Sequence, residues 1–111
     1  MEIVTPRTEK AIMYQLYAPE SSNYTESQLL GETVYLESDV EDTDRYSGYL
    51  LRYVWLSLPT EINEDEVKTK MFNAILLANG YIDQKTEQSN VKYVNYFKEF
   101  CTEAKENKKV I

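Results

Sequence analysis

Carboxylates dominate the chemistry this chain could perform. Glu37, Asp39, Glu41, Asp42 and Asp44 fall within one short stretch, followed closely by Tyr46, Gly48 and Tyr49. Two acids about 5 to 9 Å apart can hydrolyse a glycosidic bond, but among so many acids a close pair carries no information. Asp39, Glu41, Asp42, Asp44 and Gly48 have the oxygen-rich look of a cation loop, yet the D-x-[DN]-x-[DN]-G spacing is not met. Tyr46 stands two residues after Asp44, and Ser47 follows it. No metal site is assigned.

The chain has no histidine. That removes Ser-His and Cys-His nucleophile pairs and the usual proton carrier near neutral pH. The single cysteine, Cys101, cannot build a thiolate zinc site or an intramolecular disulfide. It falls on an apolar helical stripe, where a packed thiol is expected. Glycines 31, 48 and 80 are isolated, so no phosphate-cradling loop is present. An enzyme built from this sequence would work with Asp, Glu, Tyr, Lys and Arg alone. No catalytic residue and no cofactor are assigned.

Charge is unevenly placed. Residues 1–60 carry ten acids and four bases, and residues 61–111 carry nine and eight, so the net −7 belongs mostly to the first half. In an extended segment Glu37, Asp39 and Glu41 would point the same way at about 6.6 Å spacing. That is within a factor of two of the roughly 3.4 Å phosphate repeat of one DNA strand. The bland reading is a solvated acidic loop. The sharper one is a surface for a basic partner, with Glu37, Asp39, Glu41, Asp42, Asp44, Tyr46 and Tyr49 as the binding set. Ten tyrosines against three phenylalanines fit rings at core margins with wet hydroxyls, or an interface patch. Base stacking would want a basic groove beside the rings, so direct nucleic-acid binding is not expected.

The elements that must carry these groups predict an α+β fold. A small antiparallel sheet of three to four strands is followed by two C-terminal helices packed on one face. Residues 11–18 read as a strand, or as a short helix opened by Thr5-Pro6, and residues 19–28 as a polar loop. Residues 33–37 form a second strand. Residues 49–58 form a third, apolar on both faces and therefore covered on both, central in the sheet or packed against something more. Arg52 interrupts it and must pair with an acid or reach water. Asn63 caps a helix with an acidic first turn, Glu66 completes a capping-box arrangement, and the helix closes at Asn79-Gly80. Its apolar face is Val67, Met71, Ala74, Ile75 and Ala78. A last helix from Ser89 or Asn90 presents Val94, Phe97, Cys101 and Ala104, with Tyr93, Tyr96 and Phe100 widening the stripe and Lys105, Lys108 and Lys109 at its basic end. Tyr81-Ile82-Asp83 could add an edge strand.

At 111 residues the chain has the length of one domain, 1–111. It has no apolar run near the roughly 20 residues of a membrane span. With no signal-peptide layout at the N-terminus, the sequon Asn23-Tyr24-Thr25 reads as accidental and the cytoplasm as the compartment. Size and acidity resemble small acidic proteins of phages and mobile elements, some of which inhibit by mimicking nucleic acid. The functional expectation is therefore a non-catalytic interaction module, an inhibitor of a basic or nucleic-acid-binding protein. The alternative is a small enzyme or ligand-binding domain using Tyr and carboxylate groups in a pocket between sheet and helices. A homodimer covering the doubly apolar strand is weighed alongside.

Overall fold

The computed structural model describes residues 1–12, 22–44, 48, 50–80 and 92–107. Three antiparallel strands lie in the order β1 (Glu2–Val4), β2 (Val34–Glu37) and β3 (Tyr53–Trp55). Tyr35 is the hub of the register, opposite Ile3 on one side and Trp55 on the other. Strand β1 was not expected, although Ile3, Val4 and Thr5 are a β-branched run ended by Pro6.

The expected strand at 11–18 begins instead as a helical turn, α1 (Glu9–Ala11), opened by Thr8. The Thr8 hydroxyl accepts from the Ala11 N–H at 3.2 Å. Residues 13–18 lie outside the described part. The polar stretch read as a loop holds a helix, α2 (Ser22–Leu29), because Thr25 and Leu29, four residues apart, are both fully buried on its inner side. Gly31 follows with φ 81°, a left-handed turn whose N–H reaches the Pro6 carbonyl at 2.7 Å.

Apolar faces decide the layering, and they place helices on both sides of the sheet rather than one. Val34, Leu36 and Val54 form one core with Ile12, Leu29, Phe72 and Leu76. Tyr53 and Trp55 form a second with Val67, Met71, Ala74, Leu77, Tyr93 and Phe100. Strand β3 is buried at all three residues, as its doubly apolar sequence requires, and both covers come from within the chain. It is nevertheless the last strand in the order, not a central one, and it is much shorter than 49–58. Leu50 makes only an isolated bridge with Thr43.

What closes the outer edge of β3 is a break in the expected helix. The segment forms α3 (Glu64–Lys70) and α4 (Phe72–Ala78), with Met71 extended between them at φ −94° and ψ 120°. An extended residue can pair with a strand, and Met71 bridges to Trp55 while the Leu56 N–H donates to the Lys70 carbonyl at 2.7 Å. Helical hydrogen bonds continue on either side, Met71 N–H to the Val67 carbonyl and Ile75 N–H to the Met71 carbonyl, both 3.1 Å. The 3.6-residue periodicity therefore survives the break and hides it in the sequence. Asn73 completes the edge. Its Oδ1 accepts from the Val54 N–H at 2.7 Å and its Nδ2 donates to the Arg52 carbonyl at 3.2 Å, as a neighbouring strand would.

Asn73→Ala strips both partners from β3 and should cost about 2–3 kcal/mol, since it leaves two largely buried backbone groups unsatisfied. Urea denaturation reads this directly. A loss under about 0.5 kcal/mol, the range of a neutral surface change, would show that water replaces the amide without penalty.

The Asn63 cap is as expected, its side chain accepting from the Glu66 N–H. Glu66 turns outward from the capping box, however, and takes the Thr60 N–H at 2.9 Å and hydroxyl at 2.5 Å, with Lys70 as its salt-bridge partner. Those bonds, Lys70 first, hold its carboxyl at about 2. Gly80 is left-handed at φ 73°. The last helix, α5 (Val94–Glu106), has Tyr93 at its N-cap position without a side-chain capping bond and buries Phe100, Cys101 and Ala104. Residues 81–91 and 108–111, including the expected edge strand, the proposed helix starts Ser89 and Asn90, and Lys108 and Lys109, lie outside the described part.

Candidate functional site

The densest set of polar side chains gathers where the end of β2 meets the start of α5. Glu37 is the last residue of β2, so its side chain lies on the same face as Tyr35. Across the pair, Trp55 stands opposite Tyr35 and Tyr53 opposite Glu37. The chain returns with Lys92 and Tyr93 immediately before α5.

Glu37 accepts from three side chains. Trp55 Nε1 donates to its Oε1 at 2.9 Å, the Tyr93 hydroxyl to the same oxygen at 2.7 Å, and the Lys92 ammonium to Oε2. Asp39 accepts from the Tyr53 hydroxyl at 2.7 Å and the Lys92 N–H at 3.1 Å through Oδ2, and from the Val40 N–H at 2.8 Å through Oδ1. The rings above are packed edge to face, Tyr53 on Tyr93 at 4.7 Å and Trp55 on Tyr93 at 5.9 Å between centroids.

Electrostatics follow from this bonding. Burial pushes the Glu37 carboxyl up, but donation from Lys92, Trp55 and Tyr93 outweighs it and holds the group below the ordinary carboxylate range. Burial opposes the Tyr53, Lys92 and Val40 donors at Asp39 in the same way, and there too the donors win. Burial, then the carboxylate each hydroxyl faces, raises Tyr53 and Tyr93 far above the ordinary phenol range. Both phenols remain donors at any working pH. Each carboxylate accepts three hydrogen bonds from within the chain and so fastens β2 to β3 and to the lead-in of α5.

The other members of the expected binding set are scattered. Asp42 pairs with Arg52 at 2.9 Å, and Arg52 also donates to the Asp42 and Leu51 carbonyls at 3.0 and 2.8 Å. That resolves the lone arginine of the apolar strand, which is paired at the rim of the sheet. The Asp44 carbonyl accepts from the Gly48 N–H at 2.9 Å. Glu41 is half-buried. Tyr46 and Tyr49 lie outside the described residues. The regular ladder of Glu37, Asp39 and Glu41 does not form, because β2 ends at Glu37. Among the described residues, no three acids or cysteines are grouped so as to hold a metal ion. Tyr53, Trp55, Lys92 and Tyr93 were missed as members of the cluster. The two-residue alternation of Tyr53 and Trp55 was a usable signal, whereas nothing local linked Lys92 to Glu37.

A small antiparallel sheet with helices on both faces, and α5 fastened to it through acids at one strand end, is the class of protein these observations define. The family model of the staphylococcal nuclease homologues matches residues 1–111. The chain is 33% identical over 108 residues to a thermonuclease of Staphylococcus hyicus, covering 96% of this chain and 57% of that protein. It is 38% identical over 90 residues to a thermonuclease of Staphylococcus intermedius, covering 80% of this chain and 46% of that protein. The chain belongs to the staphylococcal nuclease homologue family. It spans about half the length of the curated relatives it matches.

Membership overturns the functional expectation from composition. An inhibitor of phage type that mimics nucleic acid and never touches it is not what this family offers, and the small-enzyme alternative fits better. The physical source of the error is visible in the fold. Glu37, Asp39 and Asp42 looked like a displayed acidic surface and are committed to partners inside the chain. No helix among the described residues is long and apolar enough to cross a membrane.

Proposed function

We propose that this chain forms part of a nuclease and contributes to phosphodiester hydrolysis in nucleic acid. The observation that carries the reading is the family match over residues 1–111, supported by two relatives named thermonuclease. Within this reading Glu37, Asp39 and Asp42 are structural, and nucleic acid is the direct partner. The net charge of −7 repels a polyanion on average, so binding gains little from long-range steering.

The test is incubation of the purified protein with end-labelled single- and double-stranded DNA and RNA, with and without divalent cations, followed by gel analysis. Time-dependent shortening of at least one substrate is expected. Absence of cleavage on all four substrates, from protein shown to be folded by circular dichroism, would refute the proposal.

A further inference from the structure

We infer that Glu37 and Asp39 form an acid-released clasp on the start of α5, independent of any nuclease activity. The geometry divides the attachments of α5 into two kinds. Along the helix, Phe100, Cys101 and Ala104 are buried, and Lys68 of α3 bridges Glu103 at 2.8 Å. At its entry, Tyr93 reaches Glu37, and Lys92 reaches Glu37 through its ammonium and Asp39 through its backbone. Side chains from three parts of the fold face the two carboxylates: Tyr53 and Trp55 from β3, Lys92 and Tyr93 from the lead-in to α5, and the acids themselves at the end of β2. Lys92 is the one cation among them, and each tyrosine and the indole bonds an ionised carboxylate more strongly than a neutral carboxyl.

Protonating the acids removes that charge while the apolar burial of Phe100, Cys101 and Ala104 persists. Both carboxyls lie below their ordinary values of 4.5 and 3.8 in the folded protein. Their contribution is therefore complete above those values and is lost as pH falls through the lower, folded-state ones. Two other acids on α3 respond differently. Glu66, at about 2, keeps the Thr60 loop tied to Lys70. Glu64, whose carboxyl the facing Glu99 charge pushes up, loses that repulsion on protonation, which eases the contact of α3 with α5. The first turn of α5 consequently lets go before the rest of the fold.

The sole tryptophan, Trp55, is bonded to Glu37 and packed on Tyr93, so its emission responds to release of the clasp as well as to unfolding of the core around it. Acid titration of the protein from pH 7 to 2 would follow Trp55 emission and far-UV circular dichroism together. The emission midpoint should lie about half a pH unit or more above the midpoint for loss of secondary structure. At pH 7, Glu37→Gln should give emission shifted toward that acid form with unchanged circular dichroism. Coincident midpoints in the unmodified protein would overturn the clasp whatever the variant does, so the test survives a variant that does not fold. Wild-type emission and an unchanged emission midpoint in a folded Glu37→Gln protein would overturn it as well.

Discussion

Phe100→Ala is expected to remove about 3–5 kcal/mol of stability, the largest effect of any single truncation proposed for this chain. Phe100 is fully buried, stacks on Tyr96 at 6.4 Å between centroids, and lies under the Lys68 ammonium at 5.8 Å. It belongs to the core formed by Val67, Met71, Ala74 and Leu77 with the aromatic face of the sheet. Cutting it back leaves a cavity that rigid helices on either side cannot collapse into, and the transfer and cavity losses add. Domains of this size hold about 5–15 kcal/mol in total, so the variant should be partly unfolded at physiological temperature. Urea midpoints at fixed m-value give the number. A loss below about 1 kcal/mol would mean that α5 does not pack as described.

Glu37→Leu comes next, at about 3 kcal/mol. Trp55 and Tyr93 are almost wholly buried and both donate to Oε1, so leucine strands two donors in a dry site at about 1–3 kcal/mol each. Lys92, half exposed, retreats to water at little cost. Glu37→Gln separates the contributions. It keeps a carbonyl oxygen within reach of both donors but loses the charge that strengthens those bonds and holds Lys92, so its destabilisation should be less than half that of the leucine variant. The same urea series decides the matter. Equal losses in the two variants would assign the stabilisation to the Lys92 pair instead of the buried donors. A nuclease assay on Glu37→Gln should show unaltered turnover at temperatures where the protein is folded, which separates a fastener from a catalytic group.

Several features follow from residues close together in the chain. The N-cap at Asn63, the left-handed Gly80 and the apolar faces of α5 are local consequences of side-chain chemistry and periodicity, and they appear where the sequence placed them. The doubly apolar run at Tyr53–Trp55 required cover on both faces and has it. Helix α2 was missed because its inner side is built from Thr25 and Leu29 among polar neighbours, a stripe too thin to read as amphipathic, although Gly31 marked its end.

The composition of the chain determined that no histidine chemistry and no internal disulfide could operate, and local patterning determined the helical stretches of α3, α4 and α5 and two of the strands. Only the tertiary structure decided that Met71 leaves the helix to close the edge of β3, since one extended residue between two helical turns costs little and its gain comes from a strand sixteen positions earlier. Likewise, only the fold decided that Glu37 and Asp39 are tied to partners within the chain. Charge density along a sequence counts acids without regard to their partners, and the partners here, Lys92 and Tyr93, arrive from more than fifty residues away.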